Sequence, residues 1–303
     1  MVHHMTFERV SAHGGHSGQF CCHAQDRLEE VVQAYVDQGY AWIGLTEHMP
    51  PVDDRFLYPE ERAAGLDSAA MARRFDRYMA EARRLQSAYA DRMEILVAFE
   101  TEATSGALNL ALRLIDRYGP DYVVGSVHHV ADISFDYSVD AYRQAVARCG
   151  GIESLYCHYF DRQYDLLRRL RPAVVGHFDL IRLFDPSYER HLALPDVQAR
   201  ITRNLTLIKD GGMLLDYNVA ALRKGAVEPY PSRAILDQAR AMGIALVPGD
   251  DAHGVAMVGL YLDEGMRRLR EAGWDGRWPK PDRNQDRAHR PNGPTDVADA
   301  VVR

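Results

Sequence analysis

Short apolar runs alternate with longer amphipathic segments along most of this chain. The apolar runs are typical of strands buried on both faces, whereas the longer segments repeat apolar positions at helical spacing. The predicted strands are residues 41–45, 95–99, 122–127, 173–176, 213–217 and 245–248. The predicted helices are residues 28–37, 71–90, 108–118, 140–148, 153–170, 195–209, 232–242 and 257–272.

This alternation predicts an α/β protein with a parallel sheet and right-handed crossovers. Roughly seven strand–helix units would close into a barrel, and 303 residues are within reach of one such barrel. We therefore expect a single domain over residues 1–277. From Trp278 onward the chain is rich in Pro, Arg, Asp and Asn, which predicts a disordered or loosely packed tail over residues 278–303.

Histidines and carboxylates follow one predicted strand after another. In a barrel of this kind the carboxyl ends of the strands meet at one face, so these side chains are expected to converge. Imidazole and carboxylate bind borderline divalent metals without redox chemistry. The pattern therefore predicts a polynuclear metal centre that activates water, as in a hydrolase. The candidates are His13, His16, His23, His48, Glu100, His128, His177, Asp251 and His253.

Each candidate is weaker alone than in the group, because a single histidine after a strand is more often a core or loop residue. Glu100 is a stronger candidate, since it directly follows five apolar residues and a carboxylate is costly to bury unpaired. Of the adjacent His128 and His129, only one would face the site, and we choose His128. We interpret Cys21 and Cys22 as packing residues.

Composition narrows the function further. A net charge of -7 disfavours a nucleic-acid partner, although a local basic groove stays open. In a long chain without a signal peptide we do not expect a disulfide framework. The four cysteines form no Cys-x-x-Cys motif, which argues against a thiolate zinc ribbon. No apolar run approaches the ~20 residues that a membrane-spanning helix needs. We expect a cytoplasmic protein and leave its oligomeric state open.

Seven motifs in order carry a resemblance over residues 8–265: HGGHSGQFCCHA, GLTEHMP, ILVAFETE, VVGSVHH, VVGHFDLIRLF, LDYNVAALRKGAVEPYP and VPGDDAH. The chain resembles the polymerase-and-histidinol-phosphatase (PHP) superfamily, and the sixth motif points to its histidinol-phosphatase branch. The resemblance implies a distorted (β/α)7 barrel that holds three divalent metal ions. Nitrogen and oxygen ligands suit zinc, manganese or iron.

The resemblance also implies three ligand sets. His13, His16, Glu100 and Asp251 would hold the first ion. Glu100, His128 and His177 would hold the second, with Glu100 as the bridge, and His23, His48 and His253 would hold the third. One feature departs from the family: two residues separate His13 from His16, where the usual motif is His-x-His. His13 would therefore need a bulged strand to reach the first ion.

The implied activity is hydrolysis of a small phosphate monoester, foremost L-histidinol phosphate to L-histidinol and phosphate in histidine biosynthesis, by a metal-bound hydroxide. Glu100, Asp251 and His253 would serve catalysis. Arg182 and Arg223 are candidates for binding the phosphate, because guanidinium binds phosphate bidentately, although each could equally be a surface salt bridge. The alternatives are a PHP phosphoesterase with another ester or a nucleotide or nucleic-acid substrate, and a non-enzymatic metal-binding protein.

Overall fold

Nine strands occur in the computed structural model, which describes residues 7–281. They are β1 (Val10–Ser11), β2 (Trp42–Leu45), β3 (Glu94–Glu100), β4 (Tyr122–Gly125), β5 (His129–Val130), β6 (Ile133–Ser134), β7 (Val174–Val175), β8 (Leu214–Asn218) and β9 (Leu246–Gly249). Seven of them form one parallel sheet in the order β1-β2-β3-β4-β7-β8-β9, and β5 and β6 form a separate antiparallel hairpin.

The two edges of the seven-stranded sheet meet and nearly close a barrel. The backbone N–H of Ala12 donates to the carbonyl of Pro248 at 2.8 Å, and that of Asp251 donates to the carbonyl of His13 at 2.8 Å. These bonds join the segment after β1 to β9 and the residues that follow it. The predicted single-domain α/β barrel of seven parallel strands is therefore confirmed.

Helices surround the barrel at nearly the predicted places. Within the described residues they are α1 (Leu28–Asp37), α2 (Pro59–Ala63), α3 (Ser68–Ala88), α4 (Ala107–Tyr118), α5 (Val139–Cys149), α6 (Ile152–Leu170), α7 (Tyr188–Leu192), α8 (Pro195–Gly211), α9 (Ala220–Arg223), α10 (Arg233–Ala241) and α11 (Leu262–Glu271). None of the helices in residues 7–281 is long and apolar enough to span a membrane.

The prediction of the last helix, residues 257–272, was wrong about where the helix begins. Val255–Met257 form a separate 3-10 turn, and α11 begins only at Leu262. Tyr261 has φ +65°, a left-handed conformation that a helix cannot contain. The short strand β1, the hairpin and the short helices α2, α7 and α9 were also missed, because such short elements show little periodicity.

Buried tyrosines join neighbouring strands of the barrel. The hydroxyl of Tyr78 on α3 lies 2.7 Å from the carbonyls of both Leu45, at the end of β2, and Ala98, within β3. The hydroxyl of Tyr122 donates to the carbonyl of Ala12 at 2.6 Å and passes directly over Gly44. Any side chain at Gly44 would overlap that hydroxyl, so the close approach requires glycine.

The predicted boundary at residue 278 falls inside a packed segment. Trp278 is only 8% exposed, its ring meets Phe7 edge-on at 5.6 Å, and its indole N–H donates to the carbonyl of Glu8 at 3.1 Å. Lys280 pairs with Glu94 at the start of β3. Residues 278–281 thus cover the amino-terminal end of the barrel, and the rest of the predicted tail lies outside the described residues.

Replacing Trp278 with Ala should lower the free energy of unfolding by about 2–3 kcal/mol, because it empties a nearly buried ring site and removes the bond to Glu8. Urea denaturation followed by circular dichroism measures this change. Arg277→Ala is the neighbouring control at an exposed position, and we expect it to stay within about 0.5 kcal/mol of the parent. Equal stability of both variants would contradict the packing role of Trp278.

Candidate metal centre

All nine predicted ligands lie at one end of the barrel, where the strands finish. Eight of them lie at or just after the carboxyl end of a strand, and His23 comes from the loop before α1. Successive parallel strands bring their ends to one face, so residues up to 240 positions apart in the sequence meet here. The structure therefore brings together the residues that the sequence singled out: His13, His16, His23, His48, Glu100, His128, His177, Asp251 and His253.

Glu100 lies at the centre of this group. Its Oε1 is 2.9 Å from His177 Nε2, 3.1 Å from His128 Nε2 and 3.2 Å from His13 Nε2. Its other oxygen, Oε2, is 3.3 Å from Nδ1 of His48. A single carboxylate that is only 1% exposed thus faces four imidazoles. This arrangement suits a carboxylate that binds a divalent cation together with histidines.

His13 and His16 both point into the centre despite the two residues between them. Gly15 has φ +75°, a conformation that glycine adopts at little cost, and it turns the chain so that both imidazoles face inward. A Cβ at Gly14 would lie 2.5 Å from Asp250 Oδ1 and 2.7 Å from Tyr35 Oη, so this position cannot carry a side chain. Since β1 ends at Ser11, this glycine turn follows the strand and is not the bulge within it that was predicted.

A second layer of carboxylates orients four of the histidines. In each pair a ring Nδ1 lies within hydrogen-bond distance of a buried or half-buried carboxylate, which fixes the tautomer and leaves Nε2 free as a ligand. No local sequence pattern indicated that these carboxylates pair with the histidines. The pairs are His13 with Asp216 at 2.7 Å, His16 with Glu47 at 3.1 Å, His48 with Glu102 at 2.9 Å, and His128 with Asp136 at 2.9 Å.

Two carboxylates of the centre stay ionised despite their burial. Burial alone would raise the pKa of Glu100, but the nearby His13 and His128 hold it well below its usual value. The pKa of Asp251 is likewise held well below its usual value, because His13 and His253 outweigh the effect of burial. Asp251 also has φ +48°, a strained conformation for a residue with a side chain, as often occurs at functional sites.

Several imidazoles of the centre favour the neutral form that metals bind. Burial, followed by the neighbouring His48, lowers the pKa of His16 well below its usual value, and burial together with His16 does the same to His253. His13, His48 and His128 differ, because the carboxylates around each of them together outweigh burial and raise their pKa values, that of His48 to about 9. An ion bound to His48 would have to displace that proton.

The donor atoms fit divalent cations. Several buried ring nitrogens have no hydrogen-bond partner among the described residues, which is costly unless an ion takes that place. These atoms are His13 Nε2, His16 Nε2, His177 Nδ1 and His48 Nε2. Groups whose donor atoms lie within 4.8 Å of one another include His13, Glu100 and His177; His13, His16 and Asp251; and Cys21, His23, His48 and His253.

Two further residues behave as the sequence analysis expected. His129 Nδ1 donates to the backbone carbonyl of Glu102 at 3.2 Å, and His129 belongs to none of the donor groups formed by residues 7–281. Cys21 lies beside His23, but burial raises the pKa of its thiol well above the usual value. A protonated thiol is a poor ligand, which agrees with a packing role for Cys21.

A comparison with known families identifies the barrel and its centre together. The family profile described as the PHP domain matches residues 14–220, which include Glu100 and most of the other candidate ligands. The chain belongs to the PHP family. The expected family, with its barrel and its histidine- and carboxylate-rich centre, is thus confirmed.

Relatives of this PHP protein are histidinol-phosphatases. A Schizosaccharomyces pombe protein assigned to that activity is 40% identical over 84% of this chain and 86% of its own length. The histidinol-phosphatase of Saccharomyces cerevisiae is 31% identical over the same shares. A histidinol phosphate phosphatase of Lactococcus lactis, solved with zinc, L-histidinol and phosphate, shares the fold with a TM-score of 0.62 at 18% identity. That match covers 89% of this chain and 95% of the Lactococcus chain.

A cleft of about 330 Å³ opens above the centre of this PHP protein. Arg223 and Lys224, at the end of α9, line it. The guanidinium of Arg223 donates to the carbonyls of Asp250 at 3.3 Å and Asp251 at 3.0 Å, which holds its charge beside the proposed ligands. Lys224 was missed in the sequence because a lysine on a polar segment is usually a solvated surface residue.

Arg182 lies behind this cleft and does not line it. Its Nε donates to Asp179 at 3.1 Å, and its Nη2 donates to the carbonyls of Glu228 at 2.9 Å and Pro229 at 2.7 Å. Its guanidinium also stacks on the ring of Tyr230 at 4.4 Å. The side chain is almost wholly buried, so it is less accessible to a phosphate than Arg223 is.

Asp216→Asn should weaken the binding of the ion held by His13 by about 10–100-fold, because the carboxylate that orients this imidazole is lost. Competition with a chelator, followed by mass spectrometry of bound metal, measures this affinity. Asp210→Asn, an exposed aspartate on α8, is the matched control and should bind metal like the parent. Parental affinity in Asp216→Asn would remove Asp216 from this role.

Proposed function

We propose that this PHP protein hydrolyses L-histidinol phosphate to L-histidinol and phosphate. The observation that carries the proposal is the position of Glu100, whose two oxygens face four histidines at the floor of an open cleft. The histidinol-phosphatase relatives support the substrate, since the chain covers most of their length. The Lactococcus protein, which shares the fold, was solved with both products of this reaction.

Three divalent ions are the proposed cofactors, with zinc, manganese and iron as the candidate metals. The first would be held by His13, His16, Glu100 and Asp251, the second by Glu100, His128 and His177, and the third by His23, His48 and His253. Zinc in the Lactococcus structure and the nitrogen and oxygen donors found here support this proposal. Cellular supply of the metals would decide which of them is bound.

In the proposed mechanism the protein's own residues position the ester and move protons. Arg223 and Lys224 bind phosphoryl oxygens that face the cleft, where guanidinium and ammonium neutralise their charge. Bound divalent ions would supply a water of lowered pKa and further neutralise the phosphoryl group. Asp251 and His253, whose side chains lie 3.5 Å apart beside the centre, are the proposed groups for proton transfer.

Arg182 stays a second proposed phosphate contact, with less support than Arg223. It does not line the cleft, and its guanidinium pairs with Asp179 and stacks on Tyr230. A nuclease is disfavoured by the acidic groups that line the cleft, Glu60 and Asp136, because they would repel a polyanionic strand.

A cytoplasmic location is proposed from the four free cysteines, which suit a reducing compartment.

The test of this proposal is a comparison of substrates with the metal-loaded protein. We expect release of phosphate from L-histidinol phosphate with a kcat/KM at least about 100-fold above that for 4-nitrophenyl phosphate, because binding energy from the whole substrate favours its transition state. Equal kcat/KM values for both esters would indicate that the protein is a PHP phosphoesterase with a different substrate. That is the alternative function considered for this metal centre.

Glu100→Gln should abolish turnover and reduce the number of bound ions, because an amide has one oxygen and no charge with which to bridge two ions. We expect kcat to fall by at least about 1,000-fold, because the proposed metal sites depend on this carboxylate. Phosphate release and metal content are the two measurements. Near-parental activity would exclude Glu100 from the proposed bridging role.

Arg223→Ala should lower kcat/KM for the phosphate ester by about 10–100-fold, because one or two charge-assisted hydrogen bonds to the phosphoryl group are lost. Bound metal should stay at the parental level. Arg190→Ala, which removes an exposed arginine of α7, is the control for the change in net charge. A parental kcat/KM in Arg223→Ala would show that this residue does not contact the phosphate.

A further inference from the structure

One wall of the cleft carries an acidic group that the proposed mechanism does not use. Glu60, on the short helix α2, lines the cleft together with Tyr58 and Tyr137. Its Oε2 accepts a hydrogen bond from the hydroxyl of Tyr137 at 3.2 Å, and its Oε1 lies 3.5 Å from Nδ1 of His23. We refer to Tyr58, Glu60 and Tyr137 as the acidic wall.

The carboxylate of Glu60 is available to a ligand. Its side chain is 29% exposed, and no arginine or lysine pairs with it anywhere in residues 7–281. Tyr137 is 45% exposed, which is unusual for a large aromatic side chain, and its ring lies 5.9 Å from that of Tyr58. A carboxylate that no arginine or lysine neutralises, beside an exposed aromatic ring in a cleft, is a setting that suits an organic cation.

Glu60 and the basic residues of the cleft come from loops that follow widely separated strands. Glu60 follows β2, whereas Arg223 and Lys224 follow β8. In the strand order, β2 and β8 are separated by β9 and β1 on one side and by β3, β4 and β7 on the other. In a barrel of seven strands this is the largest separation available. All three residues line the one cleft, which therefore divides its basic groups and the carboxylate of Glu60 between different loops.

This division matches the charges of an amino-alcohol phosphate. L-Histidinol phosphate has a dianionic phosphate at one end, and an ammonium group and an imidazole at the other. With the phosphoryl group at the metal centre beside Arg223, its organic end would extend toward the acidic wall. An ester without the ammonium group would leave the carboxylate of Glu60 unpaired.

We propose that Glu60 is a specificity-determining residue that binds the ammonium group of the substrate, with Tyr137 holding the carboxylate in place. This inference rests on the proposed function, since it assumes that the substrate carries an amine beside its phosphate. Glu60 touches the organic part of the substrate and takes no part in the chemical step. Its effect should therefore depend on whether the substrate has the amine.

The experiment compares two substrates on the metal-loaded full-length protein: L-histidinol phosphate and its deamino analogue, 3-(imidazol-4-yl)propyl phosphate. For Glu60→Gln we expect kcat/KM on L-histidinol phosphate to fall about tenfold, mainly through KM, because a charge-assisted hydrogen bond at a partly exposed site is lost. The value for the deamino analogue should change by less than about twofold. Glu60→Asp should recover part of the loss, since it keeps the charge.

Two controls separate this role from its alternatives. Glu153→Gln removes an exposed carboxylate from the first turn of α6 and should leave both substrates unaffected. Bound metal, measured by mass spectrometry, should be the same in Glu60→Gln and the parent. An equal loss on both substrates, or a loss of metal, would show that Glu60 acts through His23 and would overturn the proposal.

The outcomes also distinguish this inference from the proposed function. If the parent protein failed to hydrolyse L-histidinol phosphate, the proposed function would be wrong and the assignment of Glu60 would fall with it. If the parent hydrolysed it and Glu60→Gln kept the parental kcat/KM, the proposed function would stand and only the assignment of Glu60 would be wrong.

Discussion

The structure depends on the compensation of charge at one buried end of the barrel. Glu100 and Asp251 are ionised groups with almost no access to water, and such groups are costly unless opposite charges surround them. Histidines supply part of that compensation, yet several of their ring nitrogens have no partner among the described residues. Divalent ions complete the balance, so the centre is built to be occupied, and its ligands are held apart by the strands that carry them.

The nearly closed barrel is the reason that the residues of this centre could be predicted from the sequence. Each strand is a short apolar run, and the residue that follows it lies at the same end of the barrel as the residues that follow all the others. The apolar run ILVAF therefore predicted both a strand and the position of Glu100 at its end. The apolar run before His128 did the same for that histidine. The departure from His-x-His was also interpretable, because Gly15 offers a backbone conformation that other residues avoid.

The second layer could not be predicted in the same way. Asp216 pairs with His13 across 203 positions, and neither the period of β8 nor the composition around it indicates that pairing. Glu47 follows the same strand as His48, where a carboxylate beside a histidine is as easily a surface residue. Trp278 was predicted to lie in a tail because its neighbours are polar, whereas its packing on Phe7 and its bond to the carbonyl of Glu8 are visible only in the fold. Such pairings depend on the tertiary structure, and a local sequence pattern does not predict them.

The division of the cleft suggests how one metal centre can be specific. Glu100 and its histidines recognise a phosphoryl group that every phosphate monoester has, so they contribute catalysis without discrimination. Discrimination has to come from groups that meet the rest of the substrate, and those lie on the loops after the strands rather than at the strand ends. Glu60 lies on a short helix in such a loop, outside the strands that carry the proposed metal ligands. Its proposed role would therefore place the discrimination between substrates apart from the groups that would bind the phosphoryl group.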